Sequence, residues 1–189
     1  PVDNNIVWSG CYDGGLERWD LRTMQKRNVR RWPEAAYGWP PAELKYRWHW
    51  NFGFAISPHD HNRVYVGSQY VSVTTDGGHS WTDISPDLTL NIKEHQQNSG
   101  GVAIDNLMTY DGSLIFSINE SPLEEGVNWV GTNDGQVQIT RDGGARWTNE
   151  TDNNRDQPPW GTIANIASTP FEAGTAISML AGRIATSAC

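Results

Sequence analysis

The stretch "TTDGGHSW", Thr74–Trp81, returns as "TRDGGARW" from Thr140 to Trp147. Both copies place Thr, Asp, Gly, Gly and Trp at the same offsets, and a Thr follows each. Aligning them brings more of the chain into register. "NRVYVGS" (62–68) falls on "VNWVGT" (127–132), "YVSVTT" (70–75) on "QVQITR" (136–141), and "FAISP" (54–58) on "FSINESP" (116–122). Each unit then reads as strand A, a turn containing Pro, strand B ending in Gly, a hairpin, strand C, the Asp-Gly-Gly turn, and strand D beginning at Trp. Repetition at a fixed period marks stacked copies of one supersecondary unit.

The motif has a mechanism. An Asp at the head of a turn accepts hydrogen bonds from the turn's own N–H groups, and glycines allow positive φ where the chain reverses. Asp76, Gly78 and Trp81, with Asp142, Gly144 and Trp147, are therefore expected to be turn staples. Each tryptophan is expected to fold back onto its own hairpin, burying about 200 Å². The predicted fold is all-β, an incomplete β-propeller of four-stranded antiparallel blades spaced by roughly sixty residues.

Partial copies flank the full ones. "IVWSG" and "GGLERWD" read as strands B and C of an earlier unit, and "TIANIASTPFEAGTAISML" as strands A and B of a later one. The expected layout is a partial blade 1–30, an aromatic loop 31–51, a full blade 52–90, a loop 91–112, a full blade 113–151, a loop 152–161, a partial blade 162–177 and an atypical tail 178–189. Two full and two partial units are too few to close a ring of ~4 to 8 blades. Association with another copy or with a missing remainder is therefore expected.

Bulk properties narrow the partners. The 189 residues suit one domain, and a formal charge of -8 argues against nucleic acid. The run "KRNVRR", Lys26–Arg31, reads as a solvated loop. No apolar run approaches the ~18 residues of a membrane span. Cys11 and Cys189 are too few for a disulfide framework, and a chain opening with Pro1 suggests a processed form, a trimmed product or a piece of something longer.

On Thr74, Asp76, Gly78, Trp81 and Thr140, Asp142, Gly144, Trp147, the chain resembles the Asp-box propellers: the bacterial neuraminidase repeat, sortilin-like proteins and the secreted bacterial branch often labelled glycosyl hydrolase. "SPHDHNRVYVGS" and "INESPLEEGVNWVGTNDGQVQITRDGGARWTNET" carry the likeness to that branch. The resemblance implies an extracytoplasmic protein, secreted or periplasmic. Sialidases of the family carry an arginine triad, a Tyr nucleophile and a Phe/Tyr-Arg-Ile-Pro motif; no Arg-Ile-Pro occurs here. The closing "SMLAGRIATSAC" departs from the strand pattern.

A meander puts A–B and C–D turns at one end of each blade, and B–C turns and D-to-A links at the other. His59 and His61, in an A–B turn, read as surface residues on the staple face. The opposite face draws on the links. The first, 23–52, holds Trp32, Tyr37, Trp39, Tyr46, Trp48 and Trp50, rings that either pack the rim or stack on a flat ligand. The others carry Asp87, Glu94, His95, Asp105 and Asp111, then Asp152, Asp156 and Trp160. The starts of the innermost strands align as Trp50–Asn51, Asp111–Gly112 and Trp160–Gly161.

Trp48, Trp50, Asn51 and Trp160 are the expected ligand contacts. Asp111, Asp134 and Asp156 are candidate calcium ligands, since Ca²⁺ takes six to eight oxygens. Asp111 and Asp105 are the candidate catalytic carboxylates. The leading reading is a propeller segment binding carbohydrate, peptide or protein through this face. The alternatives are a calcium-dependent hydrolase of a lactone, ester or glycoside and a structural fragment of a larger propeller.

Overall fold

Short strands between Gly- and Asp-rich turns leave each sheet narrow, so neighbouring sheets must cover one another's faces. A computed structural model describes residues 3–36, 38–97, 113–154 and 157–181. Its first sheet is β1 (Ile6–Gly10), β2 (Leu16–Asp20) and β3 (Gln25–Asn28). The second is β4 (Phe54–Ile56), β5 (Val64–Gly67), β6 (Val71–Thr74) and β7 (Thr82–Asp83). The third is β8 (Ile115–Glu120), β9 (Asn128–Thr132), β10 (Val137–Thr140) and β11 (Thr148–Asn149). β12 (Thr162–Ser168) and β13 (Ala176–Ala181) make the last. Every pairing is antiparallel between chain neighbours, the meander of an incomplete propeller.

The cores lie between sheets. Tyr65 and Val71 of the second sheet pack with Ile115, Ile118 and Val130 of the third, and Trp129, Val137 and Ile139 of the third with Ile163 and Ile166 of the last. Burial of each Ile contributes about 1.5–3 kcal/mol. Every residue of β5, β9 and β10 is buried, because both faces of those sheets are covered. β13 alternates half-buried and exposed, because only one of its faces is. Its open face carries Ile177 at 70% and Met179 at 59% exposure.

The Asp-Gly-Gly turns are built as the sequence predicts. Asp76 Oδ1 accepts from the peptide N–H groups of His79 (2.9 Å) and Ser80 (3.0 Å) and from the Thr74 hydroxyl (2.8 Å). Asp142 Oδ1 likewise accepts from Arg146 N (2.8 Å) and Thr140 Oγ1 (3.0 Å). Backbone donors, first of all Ser80 N–H for Asp76 and Arg146 N–H for Asp142, hold both carboxyls below the usual range.

The tryptophans do something different from the expectation. Trp81 Nε1 donates to Val29 O at 2.9 Å, and Trp147 Nε1 to Ile84 O at 2.9 Å. Val29 directly follows β3 and Ile84 directly follows β7, so each indole reaches across to the exit of strand D in the preceding sheet. The second glycine of each motif sits on the same spot. A Cβ on Gly78 would lie 2.5 Å from Val29 Cβ, and one on Gly144 would lie 2.4 Å from Ile84 O. The repeated motif is therefore a lock between blades as well as a staple within one.

Two boundaries shift. β3 lies inside the stretch expected to be the first link, so Lys26–Arg31 is no solvated loop. Its side chains reach the second sheet: Arg27 Nη2 donates to Gly77 O (3.1 Å), and Arg31 makes two 3.2 Å bonds to the Asp83 carboxylate. A cationic strand at a sheet margin finds its partners in the neighbouring blade. β13 continues through Ala181, four residues into the expected tail. Cys189 and residues 182–189 lie outside the described residues.

The lock separates the two glycines of the motif. Gly144→Ala adds a methyl against a carbonyl at a residue with φ of 104°, and is expected to cost about 2–4 kcal/mol. Gly143→Ala, with φ of 69° and nothing within 4 Å of the new carbon, is expected to cost only about 1–2 kcal/mol. Urea denaturation of the two variants checks the order.

Candidate functional site

On the face opposite the Asp-Gly-Gly turns, the first B–C turn meets the start of β4. Asp13 and Gly14 turn the chain with φ of 65° and 62°. Asp13 Oδ1 accepts from Ala36 N at 2.7 Å, which ties the turn to the aromatic link. Burial pushes the Asp13 carboxyl up, against that bond and the Arg30 charge. Trp48 lies directly under the turn: a Cβ on Gly14 would sit 2.4 Å from the indole ring.

Trp48 was expected to touch ligand, and the structure corrects this. It is 2% exposed and packs with Ala36, Leu44, Tyr46 and Val66, with Phe52 edge-on at 5.5 Å. An indole that large, placed where a glycine turn leaves room, is best buried. The ring accessible above it is one the sequence did not single out. Tyr12, 52% exposed, stands edge-to-face on Trp50 with centroids 4.4 Å apart. Tyr12, Trp50, Asn51, Phe52 and Phe54 line a concavity of about 390 Å³ with Gly10 and Cys11. Of the expected ligand contacts, the structure thus brings Trp50 and Asn51 together.

Trp160 is not part of this concavity. It stacks on His95, with centroids 4.7 Å apart and planes 12° from parallel. The strand starts also align differently from the expectation. Phe54↔Val66, Ile118↔Val130 and the β12–β13 ladder place Asn51, Ile115 and Ile163 at equivalent positions. Trp50 therefore corresponds to Leu114 and Thr162.

The carboxylates of the links hold the fold together. Arg47, buried beside Trp48, donates to Asp87 Oδ2 (2.6 Å), Asn91 Oδ1 (3.0 Å), Thr89 Oγ1 (3.2 Å) and Ser113 O (2.7 Å). Asp134 is buried, and its Oδ2 accepts from Leu90 N (2.9 Å) and Ser113 N (3.0 Å) while Thr132 Oγ1 donates to Oδ1. Burial pushes its carboxyl up despite those bonds. Leu90 and Ser113 both belong to the link between β7 and β8, so Asp134 ties two points of that link to the end of β9. A carboxylate so committed does not fit the role of a calcium ligand at the channel mouth.

The other candidate metal ligands, Asp111 and Asp156, and the candidate catalytic pair, Asp111 and Asp105, lie outside the described residues, as does Tyr37. Among the described residues, no three His, Cys, Asp or Glu side chains are grouped to hold a metal ion. No helix among them is long and apolar enough to cross a membrane. His59 and His61 are exposed in their turn, with a His59 ring nitrogen 2.8 Å from Ser121 O.

No family model matches the chain, and no curated protein does. Among solved structures it is similar to YCF48 bound to D1 peptide (16% identity, TM-score 0.48, 89% of this chain and 43% of that one). It is similar also to a GH74 xyloglucanase from Xanthomonas campestris (17%, 0.43, 96% and 34%) and to a GH74 enzyme from Niastella koreensis (14%, 0.50, 87% and 22%). The chain thus spans less than half the length of each. At 14% identity and a TM-score of 0.50, the last of these bears on the fold alone, and it agrees with a β-propeller segment.

Asp83 anchors the aromatic link: it accepts from Tyr46 Oη (2.9 Å) as well as Ser72 and Arg31. Burial, then the hydrogen bond to Asp83, pushes the Tyr46 phenol from 10.0 up to about 12. The fold favours the protonated phenol, so this contribution is intact below pH 10 and is lost as pH rises toward 12. Urea denaturation between pH 9 and 12 is expected to show wild type losing stability more steeply than Tyr46→Phe.

Proposed function

We propose that the chain is a propeller segment that binds carbohydrate on the face opposite the Asp-Gly-Gly turns, with the Tyr12–Trp50 pair as the stacking surface. The observation that carries this reading is an exposed aromatic ring held edge-to-face on a second, in a concavity that also presents the exposed Asn51 side chain. Sugar rings offer C–H faces to aromatic π-systems and hydroxyls to amide groups, and a site of this kind combines an apolar floor with a few polar contacts. Trp48 beneath and the Asp13–Ala36 bond beside it fix the geometry before a ligand arrives, which limits the ordering cost of binding.

Calorimetric titration with a panel of neutral β-linked oligosaccharides tests the proposal. Binding that weakens tenfold or more in both Trp50→Ala and Tyr12→Ala, about 1.4 kcal/mol or greater, is the expected result. No binding by any member of the panel, or binding indifferent to both substitutions, contradicts it.

A further inference from the structure

We propose a second ligand site, for a small carboxylate, in the cleft between the first and second sheets on the Asp-Gly-Gly side. The cleft encloses about 410 Å³. It is unlike the other two inter-sheet junctions, and the hydrogen-bonded register shows how. Across the second sheet, one row facing the next blade reads Tyr65, Val73, Thr82; across the third it reads Trp129, Ile139, Thr148. The same row of the first sheet reads Trp8, Arg18, Arg27. The aromatic residue is kept, while an apolar residue and a threonine give way to two arginines.

Those guanidinium groups converge on one point. A Cβ on Gly77 would lie 3.4 Å from Arg18 Nε and 3.6 Å from Arg27 Nη2, whereas one on the equivalent Gly143 would meet nothing within 4 Å. Arg27 is held in place by its bond to Gly77 O and by a His79 ring nitrogen 2.6 Å from Nη1. Arg18 is half-buried and makes no hydrogen bond or salt bridge that the described residues supply. Two adjacent guanidinium groups repel one another, an anion between them relieves that repulsion, and the planar fork of each suits a carboxylate.

Of the neighbouring carboxylates, Asp20 acts on Arg18 through space but gives its hydrogen bonds to Arg22. Arg22 is taken up by Asp20 (3.0 Å) and Asp3 (3.4 Å), and the Asp76 carboxylate is occupied by its own turn. Trp8, Ile6 and Ile56 form one apolar part of the lining and His61, Asn62 and Thr75 a polar part, so the body of the ligand meets both while its carboxylate meets Arg18 and Arg27. The site is separate from the Tyr12–Trp50 concavity, which lies at the other end of the same two sheets, and does not depend on the carbohydrate reading.

The test uses two matched pairs on the intact chain: glucuronate against glucose, and N-acetylglutamate against N-acetylglutamine, followed by titration of the tryptophan indole NMR signals. The acid of at least one pair is expected to bind at least tenfold more tightly than its neutral partner and to shift the Trp8 signal but not that of Trp50. Which acid binds tells whether the carboxylate arrives on a sugar or on an amino acid. Arg18→Gln and Arg27→Gln, each checked for an unchanged denaturation midpoint, are expected to remove the preference; if either unfolds, the acid–neutral comparison in 50 and 300 mM salt still decides. Equal response to acid and neutral partner, no Trp8 shift by either acid, or an acid preference untouched by both substitutions overturns the proposal.

Discussion

The structure depends on one contact made twice: an indole N–H of one sheet closed onto the carbonyl that ends strand D of the sheet before it. A hydrogen bond of this sort contributes about 1 kcal/mol net, too little to hold two sheets together alone. Its importance is positional. Between the second and third sheets it sets where the next sheet lies, so that Ile115 seats on Gly67, where an added Cβ would come within 2.5 Å; Ile163 seats on Gly131 in the same way (2.3 Å) at the last junction, through apolar packing. Apolar burial between the sheets then supplies the free energy. The Asp and Thr of the motif make the turn rigid enough for its tryptophan to be aimed.

The pattern of burial follows from this stacking. Middle strands such as β5 and β9 are covered on both faces and buried along their whole length, polar residues included, while β1 and β13, at the two ends of the arc, keep an exposed face. The last sheet keeps the bulge and register of the third, so Met179 stands where Gly131 stands. An exposed methionine at that position cannot receive an isoleucine in the way the two glycines do. The outer face of β12–β13 is thus apolar yet differently shaped from the other junctions.

Much of the fold was legible because its signal is local. Thr, Asp and Gly at fixed offsets specify a turn whatever surrounds it, and all four strands of both full units follow from aligning the two copies. What was not legible is whatever depends on the neighbouring sheet. Trp81 and Trp147 look like lids from within their own unit, and only the packed sheets show them bonding to Val29 and Ile84. β3 was hidden because "QKRN" has no apolar residue; its neighbours in space, Gly77 and His79, are fifty positions away. In the site, Trp50 and Asn51 could be found from their place before strand A. Trp48, two positions earlier, carries the same chemistry but falls beneath the Gly14 turn, and Tyr12 had no sequence signal beyond following Cys11. Arg47 carried no sequence signal, and Asp134, expected as a calcium ligand, is like it a buried hub of hydrogen bonds.

Hydrogen exchange of the indole N–H protons measures the inter-blade lock most directly. If the indoles of Trp81 and Trp147 hold adjacent sheets in place, their protons exchange as slowly as the backbone amides of β5 and β9, released only by the opening of whole sheets. Exchange of both at the rate of a free indole, while β5 and β9 amides remain protected, would show that the sheets stack without the lock and would contradict the account.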